Sequence, residues 1–144
     1  MSAEEVPAFV DTNILVYALA ADDPKRAPVA QELIRRLMLH QALHTSTQVL
    51  QELYVTLTRK IRKPISPDQA LRYLERIAAW PVTVPDYGSI RSAIVLSSGH
   101  QISFWDALIA VAASRSGAKR LYTEDLHHGQ VLLGVEIVNP FLGK

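Results

Sequence analysis

The stretch VPAFVDTNILVYALA, residues 6–20, decides how this chain folds. Val6 to Val10 is a short apolar run of the kind that fills a strand buried on both faces, and it stops at Asp11. The residues after Asp11 read as a helix. A buried strand that hands its last residue to a helix is the opening unit of a parallel sheet, with Asp11 at the sheet's carboxyl edge.

Working outward, the same alternation recurs. Asp22-Asp23-Pro24 is a helix start, and Val29, Leu33 and Leu37 repeat at fourfold spacing through a helix from 25 to about 40. His44-Thr45-Ser46 reads as a second strand. Leu50, Leu53, Tyr54, Leu57 and Ile61 keep a helical rhythm that ends before Pro64, and Ser66-Pro67-Asp68 starts another helix. Residues 81–85 form a β-branched run between prolines, followed by a helix that Asp86 caps and that lasts to about Ser98-Gly99. A helix from Ser103 to Gly117 is apolar on nearly every side, and residues 119–123 and 135–138 read as the last strands. The expectation is an α/β fold, a three-layer α/β/α sandwich with a short central parallel sheet.

Composition narrows the function classes. At 144 residues, 49% hydrophobic and 20% charged, one domain over 1–144 is expected. Cysteine is absent, which excludes disulfide scaffolds, zinc ribbons, iron–sulfur clusters and thiol nucleophiles. Two acids near the amino end and no apolar run approaching about 18 residues imply no export signal or membrane anchor, hence a cytoplasmic protein. The net charge of +1 is too mild to announce nucleic acid.

In an open parallel sheet the residues just beyond the strand ends are the ones to inspect. Asp11 follows the first strand, Asp125 follows Leu121-Tyr122-Thr123, Asp106 lies in the first turn of the apolar helix, and Glu52 lies about one and a half turns into the helix after the second strand. Each has a plainer reading. Asp11 fits an N-cap, Ser103 with Asp106 has capping-box spacing, and Glu124 with Asp125 suits a helix's first turn. Glu52 sits about 200° around the helix from Leu50, on the more polar side. If the four do converge, their mutual repulsion is tolerable only with cations present. Carboxylates without cysteine or paired histidine select Mg²⁺ or Mn²⁺, ions suited to phosphodiester hydrolysis by activated water. With four of the fourteen acids so committed, the fifteen basic side chains exceed the rest by five. Arg59, Lys60, Arg62 and Lys63 fall together and are candidates for RNA backbone contact, or else a solvated helix end.

DTNILVYALA (11–20), STQVLQEL (46–53), SFWDALIAVAA (103–113) and LYTEDLHHGQ (121–130) resemble the four acidic motifs of the PIN-domain ribonucleases, specifically the VapC toxins of bacterial toxin–antitoxin pairs. The resemblance runs in order from about Ala8 to Phe141. It implies an α/β/α fold and a Mg²⁺- or Mn²⁺-dependent endoribonuclease that is neutralised by a cognate antitoxin and forms a homodimer; in-line attack by activated water is expected to leave 5′-phosphate and 3′-hydroxyl ends. It also implies that Asp11 and Asp106 are core metal ligands completed by Asp125 and Glu52, with Thr12, Asn13, Ser46 and Thr123 as polar neighbours that orient them. His127 stands where many relatives carry a further acid, which leaves the number of ions open. Helices 25–40 and 48–78 are the expected dimer faces. Two rival readings are a phosphorelay receiver using Asp86 and a P-loop. The first lacks the acid pair after the first strand and the late Lys-Pro, and the second lacks clustered glycines. A non-catalytic PIN-like module that binds RNA or protein is the third alternative.

Overall fold

A computed structural model describes residues 5–142. Its elements run β1 (Ala8–Val10), α1 (Thr12–Ala20), α2 (Arg26–Leu39), β2 (Leu43–Ser46), α3 (Thr47–Val55), a π-helical turn (Thr56–Lys60), α4 (Pro67–Ala78), β3 (Val82–Thr83), α5 (Tyr87–His100), α6 (Phe104–Arg115), β4 (Arg120–Tyr122), β5 (Val131–Leu132) and β6 (Val135–Val138). The strands form one sheet in the order β3-β2-β1-β4-β6-β5. All neighbours are parallel except β5 and β6. Every residue of β1 is buried, as a strand covered on both faces must be.

The chain leaves β1 toward β2 on one side, and β4 then pairs with β1 on the other. That reversal opens a crevice at the carboxyl ends of β1 and β4, the place where such sheets bind ligands. Asp11 and Thr123 are the first residues past those ends. Below the crevice, Phe9, Val10, Leu121 and Ile137 meet the unbroken apolar stretch Ala107–Ala113 of α6 in one core. α6 is apolar all round because α5 packs along its outer side while the sheet receives its inner side. Among the described residues no single helix is long and apolar enough to cross a membrane.

The structure departs from the sequence reading in four places. β5 is an added antiparallel edge strand, joined to β6 by the two residues Leu133 and Gly134, both with positive φ (51° and 78°). A leucine in the left-handed position conceals the Asn-Gly or Asp-Gly signature that such hairpins usually show. The helix after β2 does not stay α-helical to its end: past Val55 it widens, and the Ile61 N–H donates to the Thr56 carbonyl, five residues back, at 3.1 Å. α5 continues past Gly99, and Gln101 takes the left-handed C-cap instead. The exposed apolar side chains are most concentrated on α5 (Tyr87, Ile90, Ile94, Val95), whereas the expected association helices expose Leu39, Tyr54, Val55 and Leu71 over a wider area.

Candidate functional site

The cleft at the β1/β4 crevice, about 560 Å³, is lined by Asp11, Glu52, Asp106 and Asp125, so four acids spread over 115 positions of sequence reach one cavity. Asp11 is the deepest, 5% exposed. Its Oδ1 accepts the Thr12 N–H at 2.7 Å and its Oδ2 accepts the Thr123 hydroxyl at 2.8 Å. Burial pushes the Asp11 carboxyl up to about 7; the two hydrogen bonds oppose that rise, and the charges of Asp125 and Glu52 add to it. The capping role open at the sequence level is therefore real and incomplete. Asp11 does cap α1, yet its second oxygen is turned to Thr123 and the cleft.

Thr123 ties the acids together. Besides donating to Asp11, its hydroxyl accepts the Asp125 N–H at 3.0 Å, fixing the turn after β4. No helix starts there, so Asp125 is not a first-turn helix acid. Asn13 donates from Nδ2 to Asp125 Oδ2 at 2.9 Å, while its own Oδ1 is buried without a protein partner. Asp125 is held above the ordinary carboxyl range by partial burial first, then by the charges of Asp106, Glu124 and Glu52. Across the cleft, Glu52 Oε1 accepts the Thr12 hydroxyl at 3.1 Å, and the face that looked solvent-bound on the helical wheel is the cleft wall. The Ser103 hydroxyl accepts the Asp106 N–H at 3.0 Å, but no donor among the described residues returns a bond to the Asp106 carboxylate, which completes no capping box and lines the cleft.

Other expected site residues are placed differently. Ser46 is buried, and its hydroxyl caps α3 by accepting the Val49 N–H at 3.3 Å, away from the cleft lining. Of the four clustered cations only Lys60 reaches the cleft; Arg59, Arg62 and Lys63 are exposed outside it. The π turn carries Thr56 and Lys60 to the cleft wall. His128 Nδ1 accepts the Asn139 N–H at 3.0 Å, and neither His127 nor His128 lines the cavity. Asp86, the receiver candidate, caps α5 through Ser89 and pairs with Arg115 at 3.0 Å.

Two residues that sequence reasoning overlooked, Tyr17 and Arg26, brace the Asp125 side through Glu124. Glu124 accepts the Tyr17 hydroxyl at 2.6 Å and Arg26 Nε at 2.7 Å. Arg26 lies over the rings of Tyr17 and Phe141, 5.5 and 5.4 Å from their centroids, and also pairs with Asp23 at 3.1 Å. Glu124 is thereby ion-paired beside Asp125. A Tyr on α1 and an Arg opening α2 carry no sequence signal for this, because the pairing spans about a hundred residues.

The donor set is all oxygen, in keeping with Mg²⁺ or Mn²⁺. Among the described residues no three acidic or histidine side chains already converge on a single ion position. That spacing suits an ion that keeps most of its waters and takes only one or two carboxylates, the habit of Mg²⁺, and not a closed protein cage. The partnerless Asn13 Oδ1 and the raised Asp11 carboxyl both mark a site whose polar groups are incompletely satisfied by protein alone.

Residues 8–131 match the PIN domain family. The chain belongs to that family. It is 33% identical to Ribonuclease VapC23 of Mycobacterium tuberculosis over 122 residues, covering 81% of this chain and 91% of that protein. Among solved structures, a toxin-antitoxin complex from Klebsiella pneumoniae contains a chain of the same fold (TM-score 0.68, 17% identity, 92% of this chain and 97% of that one). VapC20 of Mycobacterium tuberculosis, a sarcin-ricin loop cleaving toxin, is similar as well (TM-score 0.61, 23% identity, 82% and 89%). The PIN match begins at Ala8, the first residue of β1, and takes in all four cleft acids.

Proposed function

We propose that this PIN-domain protein is a divalent-metal-dependent endoribonuclease, the toxin of a toxin–antitoxin pair. The observation that carries the reading is the gathering of Asp11, Glu52, Asp106 and Asp125 on one cleft at the sheet's switch point. The 33% identity to a ribonuclease supports RNA as the substrate class. The fold shared with a chain of the Klebsiella complex supports a protein antitoxin as partner.

Asp11 and Asp106 would hold the ion, with Asp125 and Glu52 completing the acidic wall around its waters. A bound Mg²⁺ or Mn²⁺ supplies Lewis acidity, which acidifies water and offsets charge at a phosphodiester. The chain's own residues supply position. Thr12 and Thr123 fix both oxygens of Asp11, Asn13 and the Thr123 turn aim Asp125, and Lys60 offers a cation to a neighbouring phosphate. Burial of Asp11 lowers the effective dielectric around its carboxylate, so charge placed against it is weakly screened. Water attack in line leaves 5′-phosphate and 3′-hydroxyl ends. In the homodimer that belongs to this reading, the α5 face, with its four exposed apolar side chains, is the buried one.

The test is cleavage of RNA with Mg²⁺ or Mn²⁺, with and without chelator, beside Asp11→Asn and Asp106→Asn proteins. Metal-dependent cutting that both substitutions abolish is expected. RNA binding without cutting points to the non-catalytic module, and products ending in 2′,3′-cyclic phosphate overturn water attack. Expression should arrest growth, with rescue by the product of a neighbouring reading frame.

A further inference from the structure

Trp105 is out of place as a core residue. It is 62% exposed although it sits directly before Asp106 in the first turn of α6, where the following residues Ala107–Ala113 are all buried. Its backbone is anchored and its ring has one aromatic neighbour. Phe104 meets it edge to face, 5.0 Å between centroids at 74°, and Gln48 Nε2 donates to its backbone carbonyl at 3.3 Å, tying the start of α6 to α3. Tyr17, the other aromatic residue of the lining, is engaged by Phe141, Arg26 and Glu124, so Trp105 is the aromatic face left open to the cleft. Together with Val16, Val55 and Ile109 it makes an apolar wall beside the acids, and Lys60 stands on the same lining.

An acidic end fit for cations and phosphate beside an exposed aromatic shelf is a bipartite chemistry that a nucleotide matches and a bare phosphate does not. We infer that Trp105 is a nucleobase platform: it stacks an unpaired base of the RNA next to the phosphate held at the carboxylates. The inference rests on the ribonuclease reading and narrows it, because bases inside an A-form duplex are already stacked and unavailable to a side chain. Stacking is tolerant of base identity, so Trp105 contributes affinity and register more than sequence choice. Lys60 then meets a flanking phosphate.

The chain has two tryptophans, so a Trp80→Phe protein leaves Trp105 as its only tryptophan reporter. With Ca²⁺ in place of Mg²⁺, a single-stranded eight-nucleotide oligoadenylate should quench Trp105 emission saturably. The same strand annealed to oligouridylate should quench it far less. In the two-tryptophan protein, Trp105→Ala should weaken oligoadenylate binding roughly tenfold. In cleavage assays it should raise KM by a similar factor with kcat little changed. Trp105→Phe keeps an aromatic face and should recover most of the loss, an outcome that a purely structural role does not produce. Oligoadenylate that binds Trp105→Ala as tightly as the parent, or emission indifferent to bound RNA, overturns the platform while leaving the ribonuclease assignment intact. A parent protein that neither binds nor cuts RNA overturns both, and cleavage without Trp105 dependence separates the two.

Discussion

The two walls of the cleft are built on different terms. On the sheet side, the Asp11 and Asp125 carboxylates each accept from protein donors at 2.7 to 2.9 Å, and the neighbouring Glu124 is clamped by Tyr17 and Arg26. On the helical side, Glu52 has a single 3.1 Å contact and Asp106 has its backbone N–H capped but no bond to its carboxylate among the described residues. The sheet wall is preorganised and the helical wall is adjustable. A site of this kind fixes one end of a phosphate-bearing ligand while the other end moves to meet it.

The sheet wall should fail most severely. Asp11→Asn is expected to lower RNA cleavage at least about a hundredfold, the scale of losing one strong electrostatic group at a reacting phosphate. Stability should move the opposite way. The Asp11 carboxyl, ordinarily 3.8, stands near 7 in the metal-free fold because burial disfavours its charge. Between those values the folded chain retains a proton that the unfolded chain has released, so metal-free stability falls as pH rises from about 4 to about 7 and then levels. Asp11→Asn should remove most of that slope and be the more stable protein at pH 8 in chelator. Urea denaturation at pH 5 and pH 8 checks this; an unchanged slope in the variant would place the titration elsewhere. Adding Mn²⁺ at about a hundred times its dissociation constant should restore about 2.7 kcal/mol to the parent and far less to the variant.

Thr123→Val comes next. It takes a donor from Asp11 Oδ2 and an acceptor from the Asp125 N–H in a buried position, leaving groups unpaired at a cost of about 1 to 3 kcal/mol. Thr12→Val, its counterpart facing the helical wall, breaks only an exposed 3.1 Å contact to Glu52 and should cost under about 1 kcal/mol. If the two substitutions prove equal in denaturant midpoint, the contrast between the walls is wrong.

The same contrast explains what was legible in the sequence. β1, β4 and their terminal acids could be read because strand burial and sheet-edge position are local consequences of apolar runs and topology. α6 was legible from its unbroken apolar stretch. Glu52 looked solvent-bound because a helical wheel reports the side away from the core, and here that side faces a cleft that forms only once α1 and α6 are in place. Motif position points to an orienting role for Ser46, yet its hydroxyl caps α3 by accepting the Val49 N–H, away from the cleft lining. The Tyr17–Glu124–Arg26 clamp joins residues about a hundred positions apart, a pairing no periodicity encodes. The Leu133-Gly134 hairpin was hidden by a leucine where turn chemistry favours asparagine.

Arg26→Met probes the clamp itself. With its guanidinium gone, Glu124 regains an uncompensated charge beside Asp125, whose carboxyl that charge already raises. Arg26 is 40% exposed, so solvent screening keeps the effect on stability small. The effect on the site should be a severalfold change in Mn²⁺ affinity, read by titration calorimetry, with cleavage following it at limiting Mn²⁺ and converging on the parent at saturation.

The smallest effect belongs to the adjustable wall's cation. Lys60 lines the cleft from the π turn, whereas Arg59, Arg62 and Lys63 are exposed outside it. Lys60→Gln should weaken RNA binding severalfold and reduce the salt dependence of log K by about one phosphate contact, without altering the pH dependence set by Asp11. Arg62→Gln and Lys63→Gln should each leave that salt slope nearly unchanged. The measurement is the binding constant of a short single strand across 50 to 200 mM salt. A drop of one in slope for Lys60 alone assigns the contact to the cleft, because a diffuse basic surface would lose slope in equal steps from all four side chains. Equal steps would mean that RNA lies across the outer end of α3 and that the cleft receives only the nucleotide at the point of cutting.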